Sequence, residues 1–220
     1  MFDLKIRKET SAFKAFKSIS NVSEIVDRQL KTYGARPAIR FDTGEDYQSL
    51  NFLEYVAHIE AMIGFLQSKG EEQKVIATFC KNRVEWDMVA MASFYTANII
   101  FPLDTKTNQL ELDHLLGLCK PDYILTSYAQ LPRIRELSNK HGFTAQILVA
   151  DVFEVFEDAG FTKPDLLSNE TGMKNILVAA NPKSPASKLL KFPATILGYY
   201  PTSGTTSLPK IVRITHGNIF

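Results

Sequence analysis

Five hydroxyl side chains surround one glycine in the run Thr202, Ser203, Gly204, Thr205, Thr206 and Ser207, and Lys210 follows three residues later. The chemistry that suits such a cluster is polyphosphate binding, which needs several convergent hydrogen-bond donors and a cation. A turn through Gly204 aims successive backbone N–H groups into one concavity. The hydroxyls add donors without bulk. Lys210 supplies a point charge that reaches phosphates as charge builds on them. The Walker loop, GxxxxGK[ST], fails here. Gly204 and Lys210 have its separation, but Pro209 replaces the second glycine and Ile211 replaces the magnesium-binding Ser or Thr. Taken alone, Thr-Ser-Gly-Thr-Thr also fits a Ser/Thr-rich surface loop, so the flanking residues decide.

The elements around the cluster are those that position a loop. The apolar run Ala194–Tyr199 leads into it, Ile211–Ile214 leads out, and Thr215-His216-Gly217-Asn218 reads as the start of a helix. Upstream, Asn is followed three residues later by Glu at Asn21/Glu24, Asn51/Glu54, Asn82/Glu85 and Asn108/Glu111. Each pair precedes a helical apolar pattern and has the form of a capping box. The clearest stripe is Phe52, Tyr55, Val56, Ile59, Ile63 and Leu66, with Gly70 placed as a C-terminal stop. Helices are expected at 22–29, 52–69, 84–97, 109–119 and 131–140. They alternate with short apolar runs at Lys74–Phe79, Ile99–Leu103, Asp122–Thr126, Gln146–Ala150 and Ala194–Tyr199. Alternation of this kind predicts an α/β layered fold, a largely parallel sheet flanked by helices. The expected organisation is an N-terminal extension at 1–21, an α/β subdomain at 22–180, a Pro/Lys/Ser loop or linker at 181–193, and the start of the next sheet segment at 194–220, carrying the phosphate loop at 202–210.

The bulk properties narrow the classes. The chain has 220 residues, 45% hydrophobic and 22% charged, as in an ordinary globular protein. A net charge of +1 leaves no electrostatic footprint for nucleic acid. Cys80 and Cys119 read as two small apolar side chains in a reducing compartment. The start, MFDLKIRKET, lacks the apolar run of a signal peptide, and no run reaches the roughly 18 apolar residues of a membrane span. The expected location is cytoplasmic.

Taken whole, TSGTTSLPKIVRITHGN resembles the signature of the AMP-forming adenylate superfamily, which includes acyl-CoA synthetases, firefly luciferase and peptide-synthetase adenylation domains. That pattern runs TSGTTGxPKGVxxTHxN. Thr202, Ser203, Gly204, Thr205, Thr206, Pro209, Lys210, Val212, Thr215, His216 and Asn218 fall on it, while Ser207 and Ile211 each replace a glycine. The stretch from Lys81 to Ser127 is similar to the family too, and its Asn82-Arg83-x-Glu85-Trp86 spelling looks most like long-chain fatty acyl-CoA synthetases. Apart from family, Trp86 reads as a core anchor.

The resemblance covers residues 22–220 and implies the N-terminal subdomain of the acyl-CoA synthetase-like fold, with the loop joining two strands. It implies that Ser203, Gly204, Thr205, Thr206 and Lys210 contact the β- and γ-phosphates of ATP, with Thr202 beside them as a Mg2+ contact. It implies an acid, of fatty acyl type, joined to AMP and then passed to coenzyme A. His216 is left with two roles, a place near the acyl or nucleotide site or a capping or packing one. No catalytic residue is expected within these residues, and the coenzyme A site is expected to lie mostly outside them. The chain is expected to be a fragment, inactive alone, that needs the C-terminal part of the same enzyme. Two alternatives stay open: a non-catalytic nucleotide-binding relative, and a ligase that hands the acyl group to a carrier protein. If the family glycine at position 207 serves a left-handed conformation, Ser207 costs about 1–2 kcal/mol there.

Overall fold

The computed structural model describes residues 32–70, 73–142, 144–155, 160–180, 194–202 and 208–218. Strands β1 (Pro37–Asp42) and β2 (Tyr47–Asn51) form an antiparallel pair whose turn is held by the Gly44 N–H donating to Asp42 Oδ1 at 2.8 Å. Helix α1 (Phe52–Ser68) follows at once, and its expected capping box is complete. Asn51 Oδ1 accepts from the Glu54 N–H, and Glu54 Oε2 accepts from the Asn51 N–H, both at 2.9 Å.

The main sheet contains β3 (Val75–Phe79), β4 (Ile99–Pro102), β5 (Tyr123–Ser127), β6 (Gln146–Ala150), β7 (Glu170–Gly172), β8 (Ile196–Thr202) and β9 (Lys210–Thr215). Their spatial order is β7-β6-β5-β3-β4-β8-β9. Every neighbouring pair is parallel except β8 with β9. The predicted layered, largely parallel fold is therefore present.

Strand periodicity distributes the core. Ile76, Ile100, Tyr123, Leu125 and Leu148 face one side, against α1, α2 (Val84–Tyr95) and α5 (Met173–Ala179). Ala77, Phe79, Phe101, Ile124 and Val149 face the other, against α3 (Gln109–Cys119) and α4 (Leu131–His141). The chain moves from β3 to β4 through α2 and then reverses past β3 to β5 through α3, so these two helices cover opposite faces.

Several local expectations change. Asn108 caps α3 as predicted, its Oδ1 accepting from the Glu111 N–H at 3.0 Å. Asn82 does not cap α2. Arg83 holds the N-cap position without a side-chain capping bond, and Glu85 is drawn instead into a buried ion pair with it. Helix α2 stops at Tyr95, two residues early, where Thr96 Oγ1 turns back to the Ala92 carbonyl and Ala97 takes φ +55°. Residues 216–218 form one 3-10 turn. The pair Asn21/Glu24, the helix at 22–29 and the linker at 181–193 lie outside the described residues. The strands that flank 181–193 belong to one sheet, since β8 lies beside β4. No described helix is long and apolar enough to cross a membrane.

Candidate functional site

Strand β8 runs parallel to β4, so its C-terminal residue Thr202 emerges at the carboxyl edge of the sheet. That edge is where open α/β sheets bind ligands. Strand β9 returns antiparallel, with Thr202 paired to Lys210, Pro201 to Ile211 and Tyr200 to Val212. Residues 203–209 are thus an excursion whose two ends are clasped by a strand pair. The expectation that the loop joins two strands holds. Ser203, Gly204, Thr205, Thr206 and Ser207 lie outside the described residues, so the two ends define the site.

Residues directly opposite in an antiparallel pair project to the same face. The Thr202 and Lys210 side chains therefore leave the strand pair on the same face, at the mouth of the loop. Both are exposed. Thr202 Oγ1 makes only a long 3.4 Å contact with the Lys210 carbonyl oxygen. Among the described residues no acceptor pairs with the Lys210 side chain. A cation and a hydroxyl with free hydrogen-bonding capacity suit a phosphate. Among the described residues no group of His, Cys, Asp and Glu could hold a metal by itself. Thr202 offers one neutral oxygen, which fits a Mg2+ whose other ligands are phosphate oxygens and water.

The hairpin is seated closely. A Cβ on Gly198 would stand 2.8 Å from Tyr200 Cε2 and 3.0 Å from the Ile100 carbonyl oxygen, so glycine lets β8 approach β4. On one face, Tyr199 and Ile211 pack against the cluster that holds α3. Ile211, the departure from the family glycine, thereby fills apolar space behind the strand. His114 of α3 reaches the same hairpin, its Nε2 lying 3.2 Å from the Pro209 carbonyl oxygen.

On the other face, His216 packs edge-on against Phe94 of α2, ring centroids 6.4 Å apart. It is 2% exposed, and among the described residues neither ring nitrogen has a hydrogen-bond partner. Burial holds its imidazole below the ordinary value. Of its two expected roles, the packing one is what the structure displays. Asn218 Oδ1 accepts from both the N–H and the hydroxyl of Thr215 at 2.9 Å, closing the turn that carries His216.

Three other sequence candidates are structural. Trp86 packs against the core and donates from Nε1 to Thr78 Oγ1 at 2.7 Å. Neither Cys80 nor Cys119 is in a disulfide, and burial pushes the Cys119 thiol up to about 11, with Arg213 opposing, which favours the protonated thiol. His114 and Gly198 were not singled out by the sequence. The His114 contact spans 95 positions and no local pattern announces it.

The model of a family described as AMP-binding enzyme matches residues 26–220, the loop included. The chain belongs to the AMP-binding enzyme family. A nonribosomal peptide synthetase of Emericella nidulans, easA, is 25% identical over 199 residues, covering 89% of this chain and 2% of that protein. The luciferase-like enzyme of the mealworm Zophobas morio superposes with a TM-score of 0.70 at 20% identity, over 89% of this chain and 43% of that one. The A-PCP didomain of a carboxylic acid reductase from Segniliparus rugosus, solved with AMP, superposes at 0.75 with 16% identity, over 94% and 34%. The chain spans less than half the length of each of these relatives. The superpositions establish the fold of the family's N-terminal portion. The solved structures that resemble this chain include acyl-CoA ligases, luciferases and an adenylation didomain, and the long-chain branch does not stand out among them.

Proposed function

We propose that this chain is the phosphate-binding part of an ATP-dependent ligase that activates a carboxylic acid as its adenylate. The observation that carries this reading is the pairing of Thr202 with Lys210 at the mouth of the loop, with the Lys210 ammonium unpaired among the described residues. In this reading Lys210, with Ser203, Gly204, Thr205 and Thr206, holds the β- and γ-phosphates of ATP. The acid's carboxylate attacks the α-phosphate, the bond to the bridging oxygen breaks, and pyrophosphate leaves against the Lys210 charge. A Mg2+ bound through the phosphates would neutralise part of their charge, with Thr202 as its one protein contact in this segment. Contacts to adenine and ribose, and the coenzyme A site, come from other residues of the same cytoplasmic enzyme.

The acid we favour is a fatty acid and the acceptor coenzyme A, on the Asn82-Arg83-x-Glu85-Trp86 spelling. A carrier-protein acceptor is favoured instead by the likeness to a peptide synthetase and to a didomain with a carrier. ATP–pyrophosphate exchange by the full-length protein, with fatty acids of several lengths and amino acids, tests the first half-reaction. Exchange with a fatty acid, followed by a thioester on added coenzyme A, is the expected result. Exchange only with an amino acid moves the assignment to the carrier-protein reading, and no exchange with any acid contradicts both.

A further inference from the structure

Pro209, one residue before the loop's lysine, is buried, and His114 meets its carbonyl oxygen in a groove of about 730 Å³ that Lys210, Leu118, Cys119, Tyr199 and Leu208 also line. A carbonyl oxygen only accepts, so His114 Nε2 carries the hydrogen and donates it. Proline has no N–H, and its φ is fixed by its ring. Its carbonyl is therefore the one backbone polar group that Pro209 itself offers, and the N–H of the same peptide belongs to Lys210. On the far side of that peptide, Lys210 stands in register opposite Thr202.

Ile211 packs toward α3, and Lys210 lines the same groove as His114 and Pro209. The helix of His114 is firmly placed: Asn108 caps it, and Leu112, Leu115 and Leu116 are buried. A donor on a rigid helix that fixes a peptide plane is well suited to aim the side chain that follows.

We infer that His114 is a positioning residue for the phosphate loop: its bond to the Pro209 carbonyl sets the Pro209–Lys210 peptide and so the aim of Lys210. The inference rests on the ligase reading above, and its test separates the two. In the full-length protein, His114→Phe keeps a ring without the donor, and His114→Gln keeps a donor. His114→Ala stands in should the Phe variant not fold, as judged by thermal melting. The first readout needs no activity: the rate of trypsin cleavage after Lys210. Loss of one hydrogen bond corresponds to about a two- to tenfold effect. His114→Phe is expected to speed cleavage about fivefold, and His114→Gln to stay within about twofold of wild type. The second readout is ATP–pyrophosphate exchange. His114→Phe raises the KM for ATP about fivefold and leaves the KM for the acid unchanged, and Gln restores it. A Phe variant with wild-type cleavage and wild-type KM overturns the inference, as does equal loss in well-folded Phe and Gln variants. A wild type without exchange overturns the ligase reading instead, and the cleavage arm still decides the role of His114.

Discussion

Glu85 and His216 are both buried polar side chains, and they are held in opposite ways. Glu85 is 0% exposed and fully engaged. Its two oxygens take Arg83 Nε and Nη2 at 3.0 Å each, and Oε1 also accepts the N–H groups of Val152 at 3.1 Å and Phe153 at 3.2 Å. Arg83 Nη2 in turn donates to the Phe153 carbonyl at 3.3 Å. This knot ties the β3–α2 turn to the chain leaving β6. His216, at the far end of the β8–β9 hairpin, has no partner for either nitrogen among the described residues. The comparison teaches where rigidity has been placed. The sheet that serves as scaffold is closed by satisfied, charge-assisted bonds. The hairpin that carries the loop rests on close packing at Gly198, one bond from His114, and a ring held by shape alone.

The comparison breaks most sharply at Glu85. Glu85→Ala takes from the buried Arg83 guanidinium the carboxylate that its Nε and Nη2 both donate to, which costs about 3–5 kcal/mol. Urea unfolding should show a loss of that size, and a midpoint close to wild type would remove the knot from the account. At the hairpin, Gly198→Ala forces a Cβ onto the Ile100 carbonyl, and overpacking of this kind costs about 1–3 kcal/mol. Its distinguishing mark is that trypsin cleavage at the hairpin accelerates more than global unfolding does; parallel changes in both would contradict the separation. Asn51→Ala opens the capping box of α1, far from the loop, and costs about 1 kcal/mol with no change in cleavage after Lys210.

The smallest effect is pH dependence. Burial depresses His216, so below the ordinary imidazole value of about 6.5 the unfolded chain takes up a proton that the folded one resists. Stability is thus full above that pH and falls as pH falls. His58 acts in the same direction: burial lowers it, with Glu54 and Glu85 opposing. Urea midpoints at pH 7.5 and 5.5 should differ accordingly. His216→Phe, which removes two unmet nitrogens, should shrink the difference and leave stability at pH 7.5 unchanged or higher. A large loss at pH 7.5 would show that His216 has a partner after all.

Much of this arrangement was legible in the sequence because it is written locally. The strand runs VIATF and QILVA, the caps at Asn51 and Asn108, and the loop's clasping strands all depend on residues within a few positions of one another. Contacts between distant segments were not legible. Asn82-x-x-Glu85 has the spelling of a capping box, yet Glu85 pairs with Arg83 and reaches backbone 67 positions away, because burial makes a charged bond worth more than a cap. The β1–β2 pair and the short β7–α5 segment escaped notice since neither has a full period of apolar pattern. His114 falls on the half-buried side of a helix whose apolar stripe carries the signal. The loop's chemistry is read from its hydroxyls and lysine; what aims the lysine comes from a helix 95 positions earlier.

Nucleotide binding to the full-length protein, measured by calorimetry for wild type and Lys210→Ala, tests most directly whether this hairpin is the seat of the β- and γ-phosphates. A hydrogen bond to a charged group is worth about 1.5–3 kcal/mol, so the variant should bind ATP about ten- to a hundredfold more weakly. AMP, which lacks those phosphates, should bind within about twofold of wild type on the same argument. Equal weakening for AMP and ATP, or no weakening of ATP, would contradict the assignment of the loop.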